Sequence, residues 1–329
     1  MHTEPNWRPA AALHVLQLRA TLLARIRKFF ASHAVLEVDT PALSQAAATD
    51  PALQSFETTY HGPGPLSGQT LYLHTSPEFP MKRLLAAGSG SIYQICKVFR
   101  DGESGSRHNP EFTLLEWYRA GYDYFALMDE VEVLLREVLA DIAPLACVTH
   151  WTYRELFGEF TGIDPFHTTS DELEDLLRTQ HGVVPVGLGH DPLDVWLDLV
   201  ITHVVEPALA PGLVFVRDYP ASQAALARIR PGKPPVAARF EAYLDGIELA
   251  NGFHELADPD EQQRRFAMDC EQRRVQGLAT VPADRQLLAA LQDGLPDCAG
   301  VALGIDRLLM VASRARCLDE VIAFPVATA

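Results

Sequence analysis

The clearest pattern of hydrophobic and polar positions lies between residues 91 and 118. Two stretches rich in Ile, Val, Phe, Leu, Tyr and Trp flank a polar segment that contains Gly102, Gly105 and Pro110. This arrangement predicts a strand, a loop and a second strand. Because strand side chains alternate between faces, pairing of the two strands would bring two sets of side chains into one space. These sets are Gln94, Cys96, Val98 and Arg100 from the first strand, and Phe112, Leu114, Glu116 and Tyr118 from the second.

Helical spacing of apolar residues recurs elsewhere. Residues 13 to 30 and 124 to 140 predict amphipathic helices that pack against a core. The first of them runs into residues 35 to 40, a short strand that Pro41 ends and that could form an edge for a second subunit. Shorter patterns predict a strand at 71 to 73 and helices at 79 to 87, 169 to 177 and 195 to 205.

A second hairpin is indicated by Asp245-Gly246 between two apolar runs. Such a turn places Leu244 opposite Ile247, Tyr243 opposite Glu248 and Glu241 opposite Ala250. Glu241 and Glu248 then share one face, where their like charges repel unless a cation lies between them. Carboxylates on a rigid strand suit Mg²⁺, which completes its shell with water and phosphate oxygens. The residues Asn251, Phe253 and Glu255 have the opposite parity from Glu248, so a shared pocket requires a bulge, for which Gly252 is the candidate.

Groups suited to anions lie at two further places. Residues 300 to 310 read as a small-residue strand that turns at Gly304 into a helix, with Arg307 in its first turn. Helix N-termini attract anions. The polar loop of the first hairpin adds Arg107 and His108, and the arginine presents a planar fork of donors.

Simpler interpretations of two features stay open at this stage. Arg100 and Glu116 could form an ordinary ion pair, which is common and weak when it is exposed. Likewise, Glu78 could serve only the N-terminus of its helix, or could face a substrate.

Composition narrows the possible partners. The chain has 329 residues, 48% of them hydrophobic, and its 27 Lys and Arg residues against 43 Asp and Glu residues give a net charge of −16. That surface disfavours extended contact with nucleic acid, whereas a pocket of arginines can still bind a small anion. Five cysteines without a C-x-x-C pair argue against a disulfide framework or a zinc site. With neither a signal pattern nor a run of about 18 apolar residues, we expect a cytoplasmic protein without a membrane segment.

Taken together, these residues resemble the class II aminoacyl-tRNA synthetases, in particular the catalytic domain of the lysyl-tRNA synthetases. Residues 91 to 118, with the run Arg107-His108-Asn109-Pro110-Glu111-Phe112, resemble motif 2 of that family. Residues 15 to 41 resemble motif 1, its dimer element, and residues 300 to 313 resemble motif 3. The resemblance implies an α+β fold in which helices flank an antiparallel sheet. We expect residues 1 to 329 to form one catalytic domain, with residues 145 to 235 as a scaffold or partner surface.

Motif 1 begins close to the start of this sequence, so we expect no anticodon-binding domain ahead of it. In this respect the sequence is similar to the elongation factor P lysine ligases. This likeness implies a homodimer that activates (R)-β-lysine with ATP and Mg²⁺ and transfers it to a lysine of elongation factor P, without stable binding of tRNA. A truncated lysyl-tRNA synthetase and a catalytically inactive regulator are the alternatives.

The resemblance also assigns roles to individual residues. For the amino-acid substrate it implies Ser76, Pro77, Glu78, Glu116, Tyr118, Asn251, Phe253 and Glu255. For ATP it implies Arg100, Asp101, Gly102, Glu103, Arg107, His108, Asn109, Leu244, Asp245, Gly300 and Arg307. Glu241 and Glu248 would hold the metal ion, and Arg100 and Arg307 would act in catalysis.

Two departures from the family pattern bear on specificity. Motif 2 of class II enzymes has Arg-x-Glu, with the glutamate on the adenine amino group, whereas Arg100 is followed by Asp101, Gly102 and Glu103. Either Glu103 takes that role after a local shift, or backbone groups replace it. Ala299 and Ala302 stand where lysyl-tRNA synthetases have glycines. We hypothesise that their methyl groups shift the preference from α-lysine to the β-amino isomer.

Overall fold

A computed structural model describes residues 7–184 and 192–329, and a large sheet lies at its centre. The strands of the whole structure are β1 (Leu36–Glu37), β2 (Leu43–Ser44), β3 (Glu57–Thr59), β4 (Thr70–Leu73), β5 (Ile92–Phe99), β6 (Glu111–Ala120), β7 (Val148–Thr152), β8 (Leu213–Pro220), β9 (Ile229–Arg230), β10 (Val236–Leu244), β11 (Ile247–His254) and β12 (Cys298–Gly304). Its α-helices are α1 (Leu13–Ser32), α2 (Glu78–Ala86), α3 (Tyr124–Leu139), α4 (Tyr153–Thr161), α5 (Ser170–Asp175), α6 (Leu193–Val200), α7 (Pro259–Val275), α8 (Arg285–Gly294) and α9 (Ile305–Ser313).

The strand order of the central sheet is β1-β5-β6-β12-β11-β10-β8-β7, and β9 pairs with β10. The pairs β1–β5 and β7–β8 are parallel, and the other neighbours are antiparallel. Strands β2, β4 and β3 form a separate small sheet. This mostly antiparallel sheet with flanking helices confirms the expected α+β fold class.

One face of the central sheet is apolar and covered by α1, α3 and α9. Leu115, Trp117, Val301 and Leu303 point into this core, where each is at most 2% exposed. Because side chains alternate along a strand, Glu116 of β6 points to the opposite face. The sheet therefore has a sealed apolar side, and a second side on which polar groups can gather.

Two smaller cores fill the remaining space. One joins α4, α5 and α6 to β8 and β10, which accounts for the apolar residues in the region from 145 to 235. The other joins α2, α7 and α8 to the ends of β5, β6 and β12. Together they build walls on either side of the polar face.

The local predictions agree with the structure at most places. The first hairpin pairs Gln94 with Glu116 and Val98 with Phe112, so the predicted faces are confirmed. Residues 169 to 172 form the expected capping box at the start of α5. The strand predicted at 35 to 40 is shorter than expected, since only Leu36–Glu37 pairs, in parallel with β5.

All five cysteines are present as free thiols. Within residues 7–184 and 192–329, no helix combines the length and the hydropathy that a membrane crossing requires.

Candidate active site

A cavity of about 1060 Å³ lies over the polar face of the sheet. It brings together most of the residues that the sequence singled out. Those that line it are Ser76, Glu78, Arg100, Glu103, Arg107, His108, Asn109, Glu116, Tyr118, Glu248, Asn251, Phe253, Glu255, Gly300 and Arg307. The wall does not include Pro77, Asp101, Gly102, Leu244, Asp245 or Glu241.

One end of this cavity, the cationic end, contains Arg100, Arg107, Arg307 and His108. Arg307 donates from Nη2 to Nε2 of His108 at 3.0 Å, because a guanidinium has no acceptor. Burial, and then the charge of Arg307, lower the pKa of His108, so that the imidazole is neutral at pH 7. Arg100 lies over the Phe112 ring, 5.0 Å from its centroid. This end offers several fixed donors to an anion such as a polyphosphate.

The unusual spacing after Arg100 has a simple structural outcome. Nη1 of Arg100 is 3.3 Å from Oε1 of Glu103, and both side chains are about one-quarter exposed in the cavity wall. Asp101, by contrast, lies outside the wall, and its backbone N–H donates to the carbonyl of Gln54. Of these two acidic residues, only Glu103 lines the cavity.

The opposite end, the acidic end, is built from Glu78, Glu116 and Glu255 with Tyr118. The Tyr118 hydroxyl donates to Oε1 of Glu116 at 2.6 Å. Burial, followed by the charge of Glu78, raises the pKa of Glu116 to about 8. Burial likewise raises the pKa of Glu255 to about 7, although the charge of Lys82 acts against it. Clustered carboxylates of this kind suit a ligand that carries ammonium groups.

Sequence reasoning missed Lys82, which lies among these acids. Its Nζ is 2.6 Å from Oε1 of Glu78 and 2.6 Å from Oε2 of Glu255. The side chain is 1% exposed, so the charge is fully buried. Lys82 could have been found from its spacing, because it follows Glu78 by four residues. That separation places two side chains on one face of a helix.

Three residues assigned to the nucleotide occupy other positions. A side chain at Gly300 would collide with the Tyr118 ring at 2.3 Å and with Oε1 of Glu255 at 2.5 Å. Gly300 therefore makes room at the acidic end. Leu244 is 3% exposed in the core under the sheet, because it alternates with Tyr243, which packs in the second core on the other face. The Asp245 carboxylate accepts from the backbone N–H of Gly212 and supports the hairpin.

The second hairpin contains the expected bulge, but at a different residue. Tyr243 pairs with Glu248 and Ala242 with Ala250, so Leu249 is the extra residue. Consequently Glu241 faces Asn251, and the predicted pairing with Ala250 is wrong.

Gly252 does not form the bulge, because it sits in regular pairing opposite Phe240. Its missing side chain leaves space for the Phe240 ring, 2.4 Å from where a Cβ would be. The bulge at Leu249 puts Glu248, Asn251 and Phe253 on one face, since it reverses the parity between them.

The two carboxylates predicted to hold a metal ion are each held by an arginine. Arg239 donates to Oε1 of Glu241 and Tyr243 donates to Oε2, both at 2.5 Å. Arg307 lies 3.1 Å from Oε2 of Glu248. Burial, and next the charge of Glu241, raise the pKa of Glu248, which indicates that the two carboxylates repel each other.

A third carboxylate, from the region expected to be a scaffold or partner surface, lies near this pair. Burial, followed by the charges of Glu248 and Glu241, raises the pKa of Glu206 to about 7. Its Oε2 is 4.0 Å from Nη1 of Arg107. Even so, the described residues contain no group of three or more His, Cys, Asp or Glu side chains arranged to hold a metal ion alone.

The two alanines differ in orientation. Ala302 pairs with Glu116 on one side and with Asn251 on the other, and it lines the cavity. Ala299 is fully buried in the apolar core on the opposite face. Only Ala302 places a methyl group at the acidic end, so the hypothesis for Ala299 is wrong.

A mostly antiparallel sheet of this order, with a cationic and an acidic end in one cavity, agrees with the catalytic domain of a class II synthetase. The chain belongs to the family of class II tRNA synthetases (D, K and N), whose model matches residues 6–328.

Several similar curated relatives carry the name elongation factor P--(R)-beta-lysine ligase. The relative from Vibrio cholerae serotype O1 is 50% identical over 324 residues, which cover 98% of each chain. That from Photobacterium profundum is 50% identical over 322 residues, 97% of this chain and 98% of the relative. That from Pectobacterium atrosepticum is 47% identical over 328 residues, 99% of each chain.

Proposed function

We propose that this chain is an ATP-dependent ligase that activates (R)-β-lysine as an acyl-adenylate and transfers it to a lysine side chain of elongation factor P. The observation that carries the proposal is the single cavity in which Arg100, Arg107 and Arg307 lie opposite Glu78, Glu116 and Glu255. One end suits the phosphates of ATP, and the other suits an acid with two amino groups. The name shared by relatives that match nearly the full length supports this substrate pair.

The reaction would proceed in two displacements. A carboxylate oxygen of the amino acid attacks the α-phosphorus of ATP, and pyrophosphate leaves. The amine of the acceptor lysine then attacks the acyl carbon, AMP leaves, and the nitrogen gives up a proton. No protein nucleophile is needed, because Arg100 and Arg307 position the phosphates and stabilise the developing charge.

The residues fit a magnesium ion bound together with ATP. Glu241 and Glu248 lie on one face of the hairpin, and Mg²⁺ usually takes one or two carboxylates plus phosphate oxygens. Each carboxylate oxygen can accept more than one bond, so the contacts with Arg239 and Arg307 leave acceptor capacity. When bound, the ion would supply positive charge to the phosphates of the nucleotide.

The alternatives have less support. A truncated lysyl-tRNA synthetase would have to bind a polyanion with a chain of net charge −16. An inactive regulator would not be expected to retain Arg100, Arg307 and Glu248 in the wall of a cavity of this size. Neither alternative agrees with the name that the relatives carry as directly as the proposed ligase does.

A homodimer is part of the proposal. Strand β1 lies at the edge of the central sheet, and its Leu36 side chain is 56% exposed. Covering this edge with a second copy would bury apolar surface. Light scattering after size-exclusion chromatography should give twice the mass of the chain, and a monomer at micromolar concentration would reject it.

The decisive experiment incubates the protein with ATP, Mg²⁺ and (R)-β-lysine, and adds either elongation factor P or tRNA. Intact-mass spectrometry should show one added β-lysyl group on elongation factor P and none on tRNA. Acylation of tRNA would instead favour the truncated synthetase. Absence of both products, together with absence of ATP–pyrophosphate exchange, would favour the inactive regulator.

A further inference from the structure

The buried Lys82 lies below the acidic end of the cavity rather than at its surface. It belongs to α2, one turn after Glu78, and its Nζ also reaches Glu255 beyond the end of β11. A buried ammonium is costly, and a buried ion pair is often no more stable than an apolar replacement of similar volume. Stability alone therefore gives little reason for a lysine at this position.

Charge balance offers a reason. The acidic end holds three carboxylates, those of Glu78, Glu116 and Glu255, and one ammonium, that of Lys82. With all four groups ionised, three negative charges and one positive charge leave the acidic end with a net charge of two negative charges. Two ammonium groups on a diamino acid would neutralise it.

Lys82 also separates two carboxylates that would otherwise compete for a proton. Glu78 and Glu255 both contact the same Nζ, so they lie close to one another. Two carboxylates sharing a buried site without a cation take up a proton, because they cannot both remain ionised. A protonated carboxyl is a poorer acceptor for a ligand ammonium.

We propose that Lys82 is a positioning residue that favours the ionised forms of Glu78 and Glu255 and orients them, so that the acidic end accepts a ligand with two ammonium groups. The inference rests on the proposed function, and it adds a residue that does not itself contact the reacting atoms. It predicts that binding of (R)-β-lysine becomes coupled to proton release when Lys82 is removed.

The surroundings agree with this role. The charge of Lys82 opposes the rise in the pKa of both Glu116 and Glu255 that burial causes. Burial lowers the pKa of Lys82 itself, but the charges of Glu255 and Glu78 raise it above its ordinary value. The titratable or charged groups that face this cluster are Glu78 from α2, Glu116 and Tyr118 from β6, Glu255 after β11, Cys298 from β12 and Arg228.

The test is isothermal titration calorimetry with (R)-β-lysine and a non-hydrolysable ATP analogue, in two buffers that differ in ionisation enthalpy. The wild type should release the protons that Glu116 and Glu255 carry at pH 7, and this release sets the baseline. Lys82→Met should release about one further proton per ligand bound. At pH 7 its affinity should fall about tenfold for each unit by which the pKa of the carboxylate pair exceeds the pH, and it should recover as the pH rises. A merely structural role would lower affinity equally at every pH.

Two further variants make the result decisive. Lys97→Met removes another ion-paired lysine, 3.3 Å from Glu111 and 48% exposed, and should leave proton release unchanged. Glu78→Gln combined with Lys82→Met removes one carboxylate along with the cation, so proton release should return to the baseline even if the single variant folds poorly.

Three outcomes would count against the inference in different ways. If proton release and the pH dependence of the affinity are the same in Lys82→Met as in the wild type, the proposed role of Lys82 is wrong, while the proposed function still stands. Extra proton release that persists in the double variant would also overturn it, since the carboxylate pair is then absent. Failure of the wild type to bind (R)-β-lysine would refute both this inference and the proposed function.

Discussion

Arg307 and His108 are in contact, with Nη2 of the guanidinium 3.0 Å from Nε2 of the imidazole, although 199 positions separate them in the chain. The contact joins the first turn of α9 to the loop between β5 and β6. Because the pKa of His108 is lowered by burial and by Arg307, the imidazole accepts this bond instead of repelling the arginine. The donors of the cationic end are thereby held in place before any nucleotide binds.

Replacing Arg100 should remove the first chemical step without unfolding the chain. Its side chain is one-quarter exposed and pairs only loosely with Glu103, so little stability depends on it. Loss of a charged contact to the transition state should cost about 3 kcal/mol, or about 100-fold in rate. ATP–pyrophosphate exchange by Arg100→Ala measures this loss, with Arg274→Ala on the exposed face of α7 as the control. Substantial exchange by Arg100→Ala would count against the assignment.

Replacing Ala302 should change the preference between lysine isomers. Ala302 pairs with Glu116 and Asn251, so we expect its methyl group to limit the position of the ligand's amino groups. We expect Ala302→Gly to activate α-lysine better relative to (R)-β-lysine in the exchange assay. Ala299→Gly is the matched control, because it loses a methyl group in the core and should cost about 1 kcal/mol of stability at unchanged preference. An unaltered isomer ratio in Ala302→Gly would reject the hypothesis.

The stability of the ligand-free protein should decrease as the pH rises toward 8. The folded-state pKa of Glu116 is raised to about 8 from 4.5, so the folded chain binds more protons than the unfolded chain between these values. Folding is then favoured at the lower pH of this window, and the gain is lost as the pH rises through the folded-state pKa. Urea unfolding of Glu116→Gln from pH 5.5 to 8.5 should give a flatter profile than wild type. An exposed variant, Glu271→Gln, should keep the wild-type profile, and identical slopes for all three proteins would contradict the prediction.

Removal of one carboxylate of the proposed magnesium site should raise the magnesium requirement. Glu248→Gln keeps a hydrogen-bonding partner for Arg307 but removes the charge that would attract the ion. The Mg²⁺ concentration at half-maximal exchange should rise several-fold, while the KM for (R)-β-lysine stays the same. Equal Mg²⁺ dependence in the variant and the wild type would argue that Glu248 serves only to orient Arg307.

A partly buried ion pair ties α1 to α9 and should matter for stability. Asp306 is 3% exposed and accepts from Nη1 of Arg19 at 2.5 Å and from the backbone N–H of Thr113 at 2.6 Å. Removing Arg19 leaves a buried carboxylate without its cation, which should cost about 3 kcal/mol in Arg19→Met. Arg136→Met, which breaks an exposed pair with Glu132, should cost less than about 1 kcal/mol in the same urea titration. Equal losses would show that Asp306 is compensated in another way.

The sequence by itself determined the local elements and most of the chemistry. Helical and alternating periods identified α1, α3 and the shared face of Gln94 and Glu116, because both patterns reflect neighbours within one or two elements. The turn at Asp245-Gly246 was equally clear, since a two-residue hairpin has a strong local signature. The resemblance to known motifs then singled out many of the residues that line the cavity.

Only the tertiary structure decided how these elements combine. The bulge at Leu249, the core position of Ala299 and the partnership of Lys82 with Glu255 depend on strand order and on packing between distant segments. The hydrophobic periodicity of a segment predicts the structure of that segment alone. It does not indicate which other elements pack against it. A residue's burial and its charge environment are set by those neighbours, and so they become visible only when the chain is folded.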